Sequence, residues 1–276
     1  MYEFHSVFGK IFTVLLFPFR QLNPWFGMIF VSLLTGIFML IVFRYTSNQK
    51  GIKRVKNKIK AHLLELRLYK DNLGLSMKAQ GNILLCNAKY ISYTAKPMVI
   101  MIIPLILILI QLNFWFAYAP LQPGQEAILK IKLSNEAHPL ETNISVSTSS
   151  PDLVIETPPL RITENNEVNW RLSATTSGSH EVLVTIGSYT ISKKVDVGLM
   201  SLKQITPVKK REGFFNEMFY PVEKPIPKKT QLNQIEIIYP AKNMNLFGWR
   251  IHWLIVYFVL SILFGFGLKG IFKVDI

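Results

Sequence analysis

Three long apolar runs divide this chain of 276 residues. They cover residues 25–43, 98–119 and 251–268, and none of them contains a residue with a formal charge. A bilayer core about 30 Å thick needs roughly 20 apolar residues in a helix that rises 1.5 Å per residue. The pattern therefore predicts three transmembrane helices.

The two ends of each run differ in composition, which indicates how the runs are oriented. Aromatic residues mark one end of every run: Trp25, Trp115, Tyr118, Trp249 and Trp253. Basic residues mark the other end: Arg44, Lys96, Lys269 and Lys273. Tryptophan and tyrosine favour the membrane interface, whereas lysine and arginine favour the cytoplasmic side. All aromatic ends share one side of the membrane if the N-terminus lies outside.

The distribution of charge gives the same orientation. Residues 44–96 contain twelve Lys/Arg and two acidic residues, a net charge of +10, whereas residues 120–249 contain fourteen Lys/Arg and thirteen acidic residues, a net charge of +1. The positive-inside rule then predicts that 44–97 and the tail 269–276 are cytoplasmic. We expect the N-terminus and 120–249 outside, with a bacterial inner membrane as the preferred location.

The cytoplasmic loop 44–97 has the pattern of a basic helical hairpin. Apolar residues recur at helical spacing in its first half: Ile52, Val55, Ile59, Leu63 and Leu66. A turn signal follows at 71–74, and a second helical stretch over 76–94 leads back to the membrane. We expect the two helices to bury their apolar seams against each other as a short, mobile coiled coil.

Basic residues lie on the other faces of the first hairpin helix: Lys53, Lys56, Lys60 and Arg67. One interpretation is that they hold the loop inside the cell and attract anionic lipid. The other is that they bind a specific cytoplasmic partner, such as ribosomal RNA or an acidic client protein. The sequence leaves both interpretations open. Because most of the net charge of +14 belongs to this loop, we do not expect DNA binding.

In residues 120–198, apolar and polar residues alternate with a period of two, which is typical of β-strands. Leu129 and Ile131 alternate with Lys130 and Lys132, for example. Turn signals separate about six or seven short runs, which is the number found in an immunoglobulin-like sandwich. We therefore expect an extracytoplasmic all-β domain of that type, with Trp170 in its core.

Two further segments are shorter and less regular. Residues 1–22 contain an apolar run over 11–19 that is too short to span, so we expect an outer interfacial segment; a cleaved signal peptide is the second interpretation. Residues 199–248 are predicted to form a Pro-rich connector with one further strand over 234–239. Within the connector, one helical face would rest on the outer leaflet: Phe214, Phe215, Met218 and Phe219.

Composition excludes several classes of protein and offers little chemistry. Half of the residues are hydrophobic and 17% are charged, which argues against a disordered chain. The single cysteine, Cys86, excludes a disulfide scaffold and is expected to be a packing residue. The five histidines are scattered, and no phosphate loop or nucleophile elbow is present. We expect no metal, no cofactor and no enzymatic activity.

Polar residues inside the apolar runs are the most informative candidates. Ser32 and Thr35 lie in the middle of the first run, and Gln111 and Asn113 lie in the outer third of the second. Ordinary helix–helix hydrogen bonds are one explanation. The other is a water-filled recess that lowers the cost of moving a polar segment through the membrane, with Arg44 at its mouth to attract an acidic client tail.

In this order, the parts resemble the three-helix core of the YidC/Oxa insertase superfamily, especially its archaeal and endoplasmic-reticulum branch. The local similarity comprises Leu33-Leu34-Thr35-Gly36, the basic hairpin and the proline-containing second run, and covers residues 24–119 and 250–272. The resemblance implies a membrane groove that lets the hydrophilic end of a client cross. It also implies a hairpin that meets nascent membrane proteins, ribosomes or targeting factors.

A second class of function fits the same pattern. The three spans would then anchor the β-sandwich, which would bind an envelope protein outside the cell, and the hairpin would be a spacer. The sequence thus predicts a membrane protein of the insertase type, with a membrane-anchored envelope scaffold as the alternative.

Overall fold

The computed structural model describes residues 2–198, 202–246 and 248–274, with side chains from residue 9 onward. The helices are α1 (Tyr2–Leu16), a 3-10 helix (Phe17–Phe19), α2 (Pro24–Thr46), α3 (Gln49–Leu68), α4 (Leu73–Phe116), α5 (Phe214–Phe219) and α6 (Trp253–Leu268). The strands are β1 (Glu126–Leu133), β2 (Ile144–Thr148), β3 (Leu153–Ile155), β4 (Leu160–Ile162), β5 (Glu167–Ala174), β6 (Gly178–Ile186), β7 (Tyr189–Val197), β8 (Val208–Lys210), β9 (Leu232–Ile237), β10 (Met244–Leu246) and β11 (Trp249–Ile251).

The chain forms two compact units. The hairpin unit comprises Met28–Leu109 and the chain from Leu254 onward. The β unit comprises the chain up to Gly27 together with Ile110–Trp253. Each unit therefore combines segments that are distant in the sequence.

Two helices in the described part of the chain are long and apolar enough to cross a membrane, namely α2 and α4. They contain the first and second predicted spans. The third predicted span, 251–268, is shorter than expected, because Ile251 belongs to β11 and α6 begins at Trp253. The 16 residues of α6 rise about 24 Å. The structure thus supports two spans by length and composition, and the third stays a prediction.

The second hairpin helix and the second span are one helix, not two. The sequence places a boundary at Pro97 and ends the span at Ala119, but α4 runs for 44 residues through Pro97 and Pro104 and ends at Phe116. A proline removes one backbone hydrogen bond, yet long apolar helices tolerate it when neighbouring groups satisfy the freed carbonyl. The hairpin arm is therefore continuous with the apolar segment.

The hairpin unit has its core where the hairpin joins α2 and the C-terminal segment. Leu40, Phe43, Ile52 and Val274 form one buried cluster. The start of α3 is capped by Asn48, whose side chain accepts a hydrogen bond from the Gly51 amide at 2.9 Å. Farther out, the predicted coiled-coil seam is open.

The burial of apolar residues along α3 shows where the two hairpin helices are not packed against each other. Ile52 and Val55 are buried as predicted, but Leu63 is 52% exposed. A seam of this length has too few layers to force the helices together along their whole length. The prediction of a closed coiled coil is therefore wrong for the outer half of the hairpin.

Among the described residues, the β unit contains three antiparallel sheets: the two-stranded pair β10-β11 and two larger sheets that share one core. The larger sheet has the order β3-β5-β1-β9-β8, with β4 also paired to β5, and the smaller sheet has the order β2-β6-β7. Core residues such as Leu129 of β1 and Val184 of β6 belong to a single cluster, and Trp170 is buried in it as predicted. Between β6 and β7, the tight turn places Gly187 at φ 57°, which favours glycine.

The Pro-rich segment 199–248 is not merely a connector. Its predicted strand is β9, which pairs with β1 on one side and β8 on the other. Ile205, Ile226 and Ile235 are fully buried in the core of the β unit. The predicted domain end at residue 198 therefore lies too early, because a central strand comes from farther along the chain.

The segments expected at the outer membrane interface are helical and expose apolar side chains. Within the β unit, α1 contacts α5. Val14 and Phe17 are exposed on the first segment, and Phe214 and Phe215 are exposed on the second. Phe12 and Leu16 face inward. This amphipathic pattern is compatible with the predicted interfacial location, which stays a prediction.

Candidate functional site

One face of α2 is buried and carries the polar residues singled out in the sequence. Met28, Val31, Ser32, Thr35 and Leu40 are buried, whereas residues on the opposite face are exposed. With Gly36, which is also buried, these positions recur at spacings of three and four, so they form one stripe along the helix. The two predicted polar candidates of the first span therefore face protein and not the surroundings of the unit.

Within the hairpin unit, the buried face of α2 contacts α6 through Thr35. The Tyr257 hydroxyl lies close to the side chains of Thr35 and Ser261. Ser32 and Tyr257 are fully buried, and Thr35 is 5% exposed. Thr35, Tyr257 and Ser261, together with Ser32 one turn before Thr35 on the same face of α2, form what we call the hydroxyl cluster.

The hydroxyl cluster is incompletely hydrogen-bonded. The side-chain oxygens of Ser32, Tyr257 and Ser261 are buried and find no hydrogen-bond partner of ordinary geometry among the described residues. A buried hydroxyl without a partner costs about 1–3 kcal/mol. Such groups are normally satisfied by water or by a ligand when they persist in a structure. The cluster thus offers polar atoms to a guest molecule.

The same two helices approach closely next to the cluster. A Cβ atom added to Gly36 would lie 3.2 Å from the Phe264 Cβ and 3.3 Å from the Ser261 carbonyl oxygen. Small residues allow helix backbones in apolar surroundings to come this near. The contact fixes the spacing of α2 and α6 at the level of the hydroxyl cluster.

Gln111 lies at a second polar site, which belongs to the β unit. It is 1% exposed, and its side-chain oxygen has no hydrogen-bond partner among the described residues. It lines a cavity of about 160 Å³ together with Lys10, Thr13 and Gln204. Gly9 leaves room for the amide, because a Cβ there would lie 3.5 Å from its oxygen. Gln111 therefore lies at a polar cavity of the β unit, whereas the predicted recess that also includes Ser32, Thr35 and Asn113 stays a prediction.

The remaining groove candidates have different surroundings. Asn113 is half-buried and hydrogen-bonded through its side chain to Tyr118, so it has a local structural role. Arg44 lies exposed in the last turn of α2. Ser32, Thr35 and Arg44 belong to the hairpin unit, whereas Gln111 and Asn113 belong to the β unit. The five residues do not form a single site within either unit.

The predicted partner-binding residues lie along α3. Lys53, Lys60 and Arg67 are exposed, and Lys56 is half-buried. At 100° per residue, these four positions share a sector of about 60° on the helix. They form a basic face that is separate from the buried side of Ile52 and remains open to solvent.

A buried charge network joins the segment after β7 to the smaller sheet. Lys193 is fully buried and donates to a Glu223 carboxylate oxygen at 2.6 Å and to the Thr206 carbonyl oxygen at 2.5 Å. Burial lowers the pKa of Lys193, and the charge of Glu223 opposes that change. Lys209 donates to the Ser192 carbonyl oxygen at 2.7 Å, and burial lowers its pKa as well.

Sequence reasoning missed two sets of polar residues. Tyr257 lies four residues before Ser261 in an apolar run, so the two share a helical face, and that spacing is a signal that the sequence does contain. Lys193 and Glu223 are thirty residues apart, and no local pattern pairs them. From a count of charged residues alone, both Lys193 and Glu223 would be placed on the surface.

Comparisons with known proteins assign no family. No family model matches the chain, and no curated protein matches it. Among solved structures, domains 4 and 5 of the S-layer protein SbsC match 31% of this chain and 51% of theirs, at 14% identity and a TM-score of 0.24. A longer structure of the same protein matches at 17% identity, over 29% of this chain and 12% of its own, with a TM-score of 0.25. This chain thus spans about half of the first structure, and such TM-scores assign neither fold nor function.

Proposed function

We propose that this chain is an integral membrane protein of the insertase type. It assists insertion or folding of other membrane proteins by offering polar groups to a client segment inside the membrane. The proposed location is the bacterial inner membrane, with the hairpin cytoplasmic and the β unit outside. This assignment follows the resemblance to the YidC/Oxa superfamily, and it involves no enzymatic step.

The hydroxyl cluster is the observation that carries the proposal. Moving a charged group to the centre of a bilayer costs at least about 2.5–3.5 kcal/mol. Hydroxyls that lack partners in the folded protein can bind water or a passing polar group without breaking existing bonds. The side-chain oxygens of Ser32, Tyr257 and Ser261 make no hydrogen bond of ordinary geometry among the described residues, although the Tyr257 hydroxyl lies close to Thr35 and Ser261. All three residues lie on apolar helices.

The recess at Gln111 supports the proposal independently. Its free amide oxygen and the neighbouring Lys10 and Thr13 surround a space large enough for several water molecules. In the proposed topology, this recess belongs to the outer side, where the hydrophilic end of a client emerges. A positive charge there would favour an acidic end.

The hairpin supplies the cytoplasmic half of the proposal. Its exposed basic face includes Lys53, Lys60 and Arg67. Positive potential of this kind attracts acidic proteins and ribosomal RNA over a distance of about one Debye length, roughly 8 Å at physiological salt. We infer that this face collects nascent membrane proteins, ribosomes or targeting factors near the entry of the site.

Site-specific crosslinking tests the proposal. Thr35→Cys and Leu34→Cys are made in a Cys86→Ser background, and each is incubated in membranes with a single-cysteine client that has a short acidic translocated end. Thr35 is 5% exposed beside the hydroxyl cluster, whereas Leu34 is 37% exposed on the outward face of α2. We expect disulfide adducts with the translocated end of the client from Thr35→Cys and at most a tenth of that yield from Leu34→Cys.

The two controls separate the alternatives. Equal yields at both positions would mean that the client touches α2 from the lipid and does not enter a site. No adduct at either position, with client insertion unchanged after depletion of the protein, would favour the membrane-anchored envelope scaffold.

A further inference from the structure

A basic groove runs between the two hairpin helices near their membrane ends. Beside the buried seam residues Ile52 and Val55, the two helices leave a cavity of about 500 Å³. Its basic lining comes from both helices: Lys50, Arg54 and Lys58 of α3, and Lys89 of α4. None of these four residues is among the partner-binding residues predicted from the sequence.

The charges in this groove are uncompensated by its other lining residues. No residue that lines the cavity is acidic, and every one of them lies in the described range 48–93. Glu65, the acidic residue of α3, lies outside the lining and contacts His62 at 2.8 Å. Lys50, Arg54 and Lys58 repeat every four residues, and like charges at this spacing repel one another. A bound anion would reduce that repulsion.

The groove lies close to the end of an apolar helix. Two residues, Ser47 and Asn48, separate α2 from α3, so Lys50 follows the last residue of α2 by four residues. On the opposite helix, Lys89 precedes the apolar run 98–119 by about two and a half turns. In the proposed topology, the groove therefore opens at the level of the cytoplasmic headgroups, which begin at the edge of the hydrocarbon core.

The uncharged lining fits a lipid better than a free ion. Val55, Leu85 and Tyr93 contribute apolar surface beside the cations. Two amides, Asn48 and Asn82, also line the groove and can donate hydrogen bonds to hydroxyl or phosphate oxygens. Phosphate oxygens, headgroup hydroxyls and the apolar start of the acyl chains occur together in an anionic phospholipid.

We propose that this groove binds the phosphate-bearing headgroup of an anionic phospholipid. The site is distinct from the exposed basic face that we assign to clients, and it rests on the membrane placement in the proposed function. Lys50, Arg54, Lys58 and Lys89 neutralise the phosphate, and the bound headgroup holds the two hairpin helices at a fixed distance from each other and from the membrane.

The chain contains a native reporter for this site, because its single cysteine, Cys86, lines the groove. The full-length protein in neutral detergent is titrated with phosphatidylglycerol or phosphatidylcholine. Lipid retention is measured by native mass spectrometry, and the rate of Cys86 alkylation is measured with a water-soluble maleimide. We expect phosphatidylglycerol to be retained at least tenfold more tightly than phosphatidylcholine and to slow alkylation at least fivefold.

Two variants with equal charge loss on the same helix make the test specific. The groove variant carries Lys50→Gln, Arg54→Gln and Lys58→Gln, whereas the face variant carries three substitutions on the exposed basic face: Lys53→Gln, Lys60→Gln and Arg67→Gln. We expect the affinity for phosphatidylglycerol to fall at least tenfold in the groove variant and less than twofold in the face variant. The single substitution Lys89→Gln repeats the test from α4 if the triple variant unfolds.

Several results would overturn the proposal. An equal loss of phosphatidylglycerol affinity in both triple variants would mean that any cluster of positive charge on α3 is enough to bind this lipid. Protection of Cys86 by inorganic phosphate at the same phosphate concentration would identify a free anion as the ligand. Protection by polyglutamate but not by phosphatidylglycerol would identify an acidic peptide. Because the readouts need no client, failure of client crosslinking at Thr35 leaves this result unaffected, and failure here leaves the insertase proposal standing.

Discussion

The ammonium group of Lys193 lies 2.6 Å from a carboxylate oxygen of Glu223, and neither side chain is more than a tenth exposed. Lys193 lies in β7, whereas Glu223 lies between α5 and β9. The pair therefore ties the Pro-rich segment to the smaller sheet of the β unit.

The first prediction is that Glu223→Gln destabilises the β unit strongly. The substitution removes the charge that compensates a buried ammonium group, and breaking a buried pair from one side costs about 3–5 kcal/mol. Denaturant unfolding of the full-length protein in detergent, followed by tryptophan fluorescence, measures the loss. Adding Lys193→Met to this variant should recover part of it, because no unpaired charge remains.

A matched substitution on the surface provides the control. Glu126 contacts Arg171 at 3.2 Å, but both side chains are at least half exposed. Solvent screens such pairs, so Glu126→Gln should cost less than about 1 kcal/mol. Similar losses in the two Glu→Gln variants would show that Glu223 does not compensate Lys193.

The second prediction concerns the dependence of stability on pH. Burial lowers the pKa of Lys242 to about 8, whereas an unfolded lysine keeps about 10.5. Between these values, the unfolded state binds more protons, so the free energy of unfolding should rise with pH from about 8 to 10.5. Burial raises the pKa of Tyr239, so ionisation of this tyrosine in the unfolded state should reverse the trend above about pH 10.

The Lys242→Met variant tests the contribution of this lysine. Its rise in stability between pH 8 and 10.5 should be smaller than that of the wild type, measured by the same denaturant series at each pH. Lys132→Met, at an exposed position of β1, should leave the rise unchanged. An unchanged rise in Lys242→Met would mean that other groups, such as Lys193 and Lys209, account for it.

The third prediction tests the place of β9 in the core. Ile235 is fully buried between two neighbouring strands, whereas Ile238, just beyond the strand, is 41% exposed. Ile235→Ala should therefore cost about 2–5 kcal/mol, and Ile238→Ala should cost under about 0.5 kcal/mol. Equal small losses would indicate that the Pro-rich segment folds apart from the sandwich.

The same strand shows why the domain boundary was not predictable. The alternation along β1 identifies a strand because eight residues repeat the pattern. By contrast, β8 has three residues, and prolines at 225 and 227 favour a loop before β9. The pairing of β9 with β1 joins residues about one hundred positions apart, and local periodicity contains no information about such pairing.

In the helices and the candidate site, too, some features were predictable from the sequence and others were not. The apolar composition of α2 predicts its extent within a few residues, since length and charge alone define such a helix. The continuity of α4 through Pro97 was not predictable, because the residues around a proline favour a helix end in most contexts. Ser32 and Thr35 were found from their apolar surroundings, but their neighbour Tyr257 depends on how α2 meets α6.

The fourth prediction concerns the close approach of these two helices. Gly36→Val would place methyl groups against the backbone of Ser261 and Gly265, where even a Cβ comes within 3.3 Å. Overpacking of this kind costs about 1–3 kcal/mol. Thermal unfolding in detergent measures the change. Gly267→Val is the control on α6, since a Cβ there meets no described atom within 4 Å, and it should change stability by less than about 0.5 kcal/mol.

The fifth prediction separates stability from function at the hydroxyl cluster. The Tyr257 hydroxyl is buried and makes no hydrogen bond of ordinary geometry among the residues described, so Tyr257→Phe should change the free energy of unfolding by less than about 1 kcal/mol or raise it. If the hydroxyl instead serves a client, the same variant should insert a model client several-fold more slowly into proteoliposomes, measured by protease protection. Tyr189→Phe, at a position 38% exposed on β7, should change neither quantity. A loss of stability without a loss of insertion in Tyr257→Phe would make this hydroxyl a structural bond between α2 and α6.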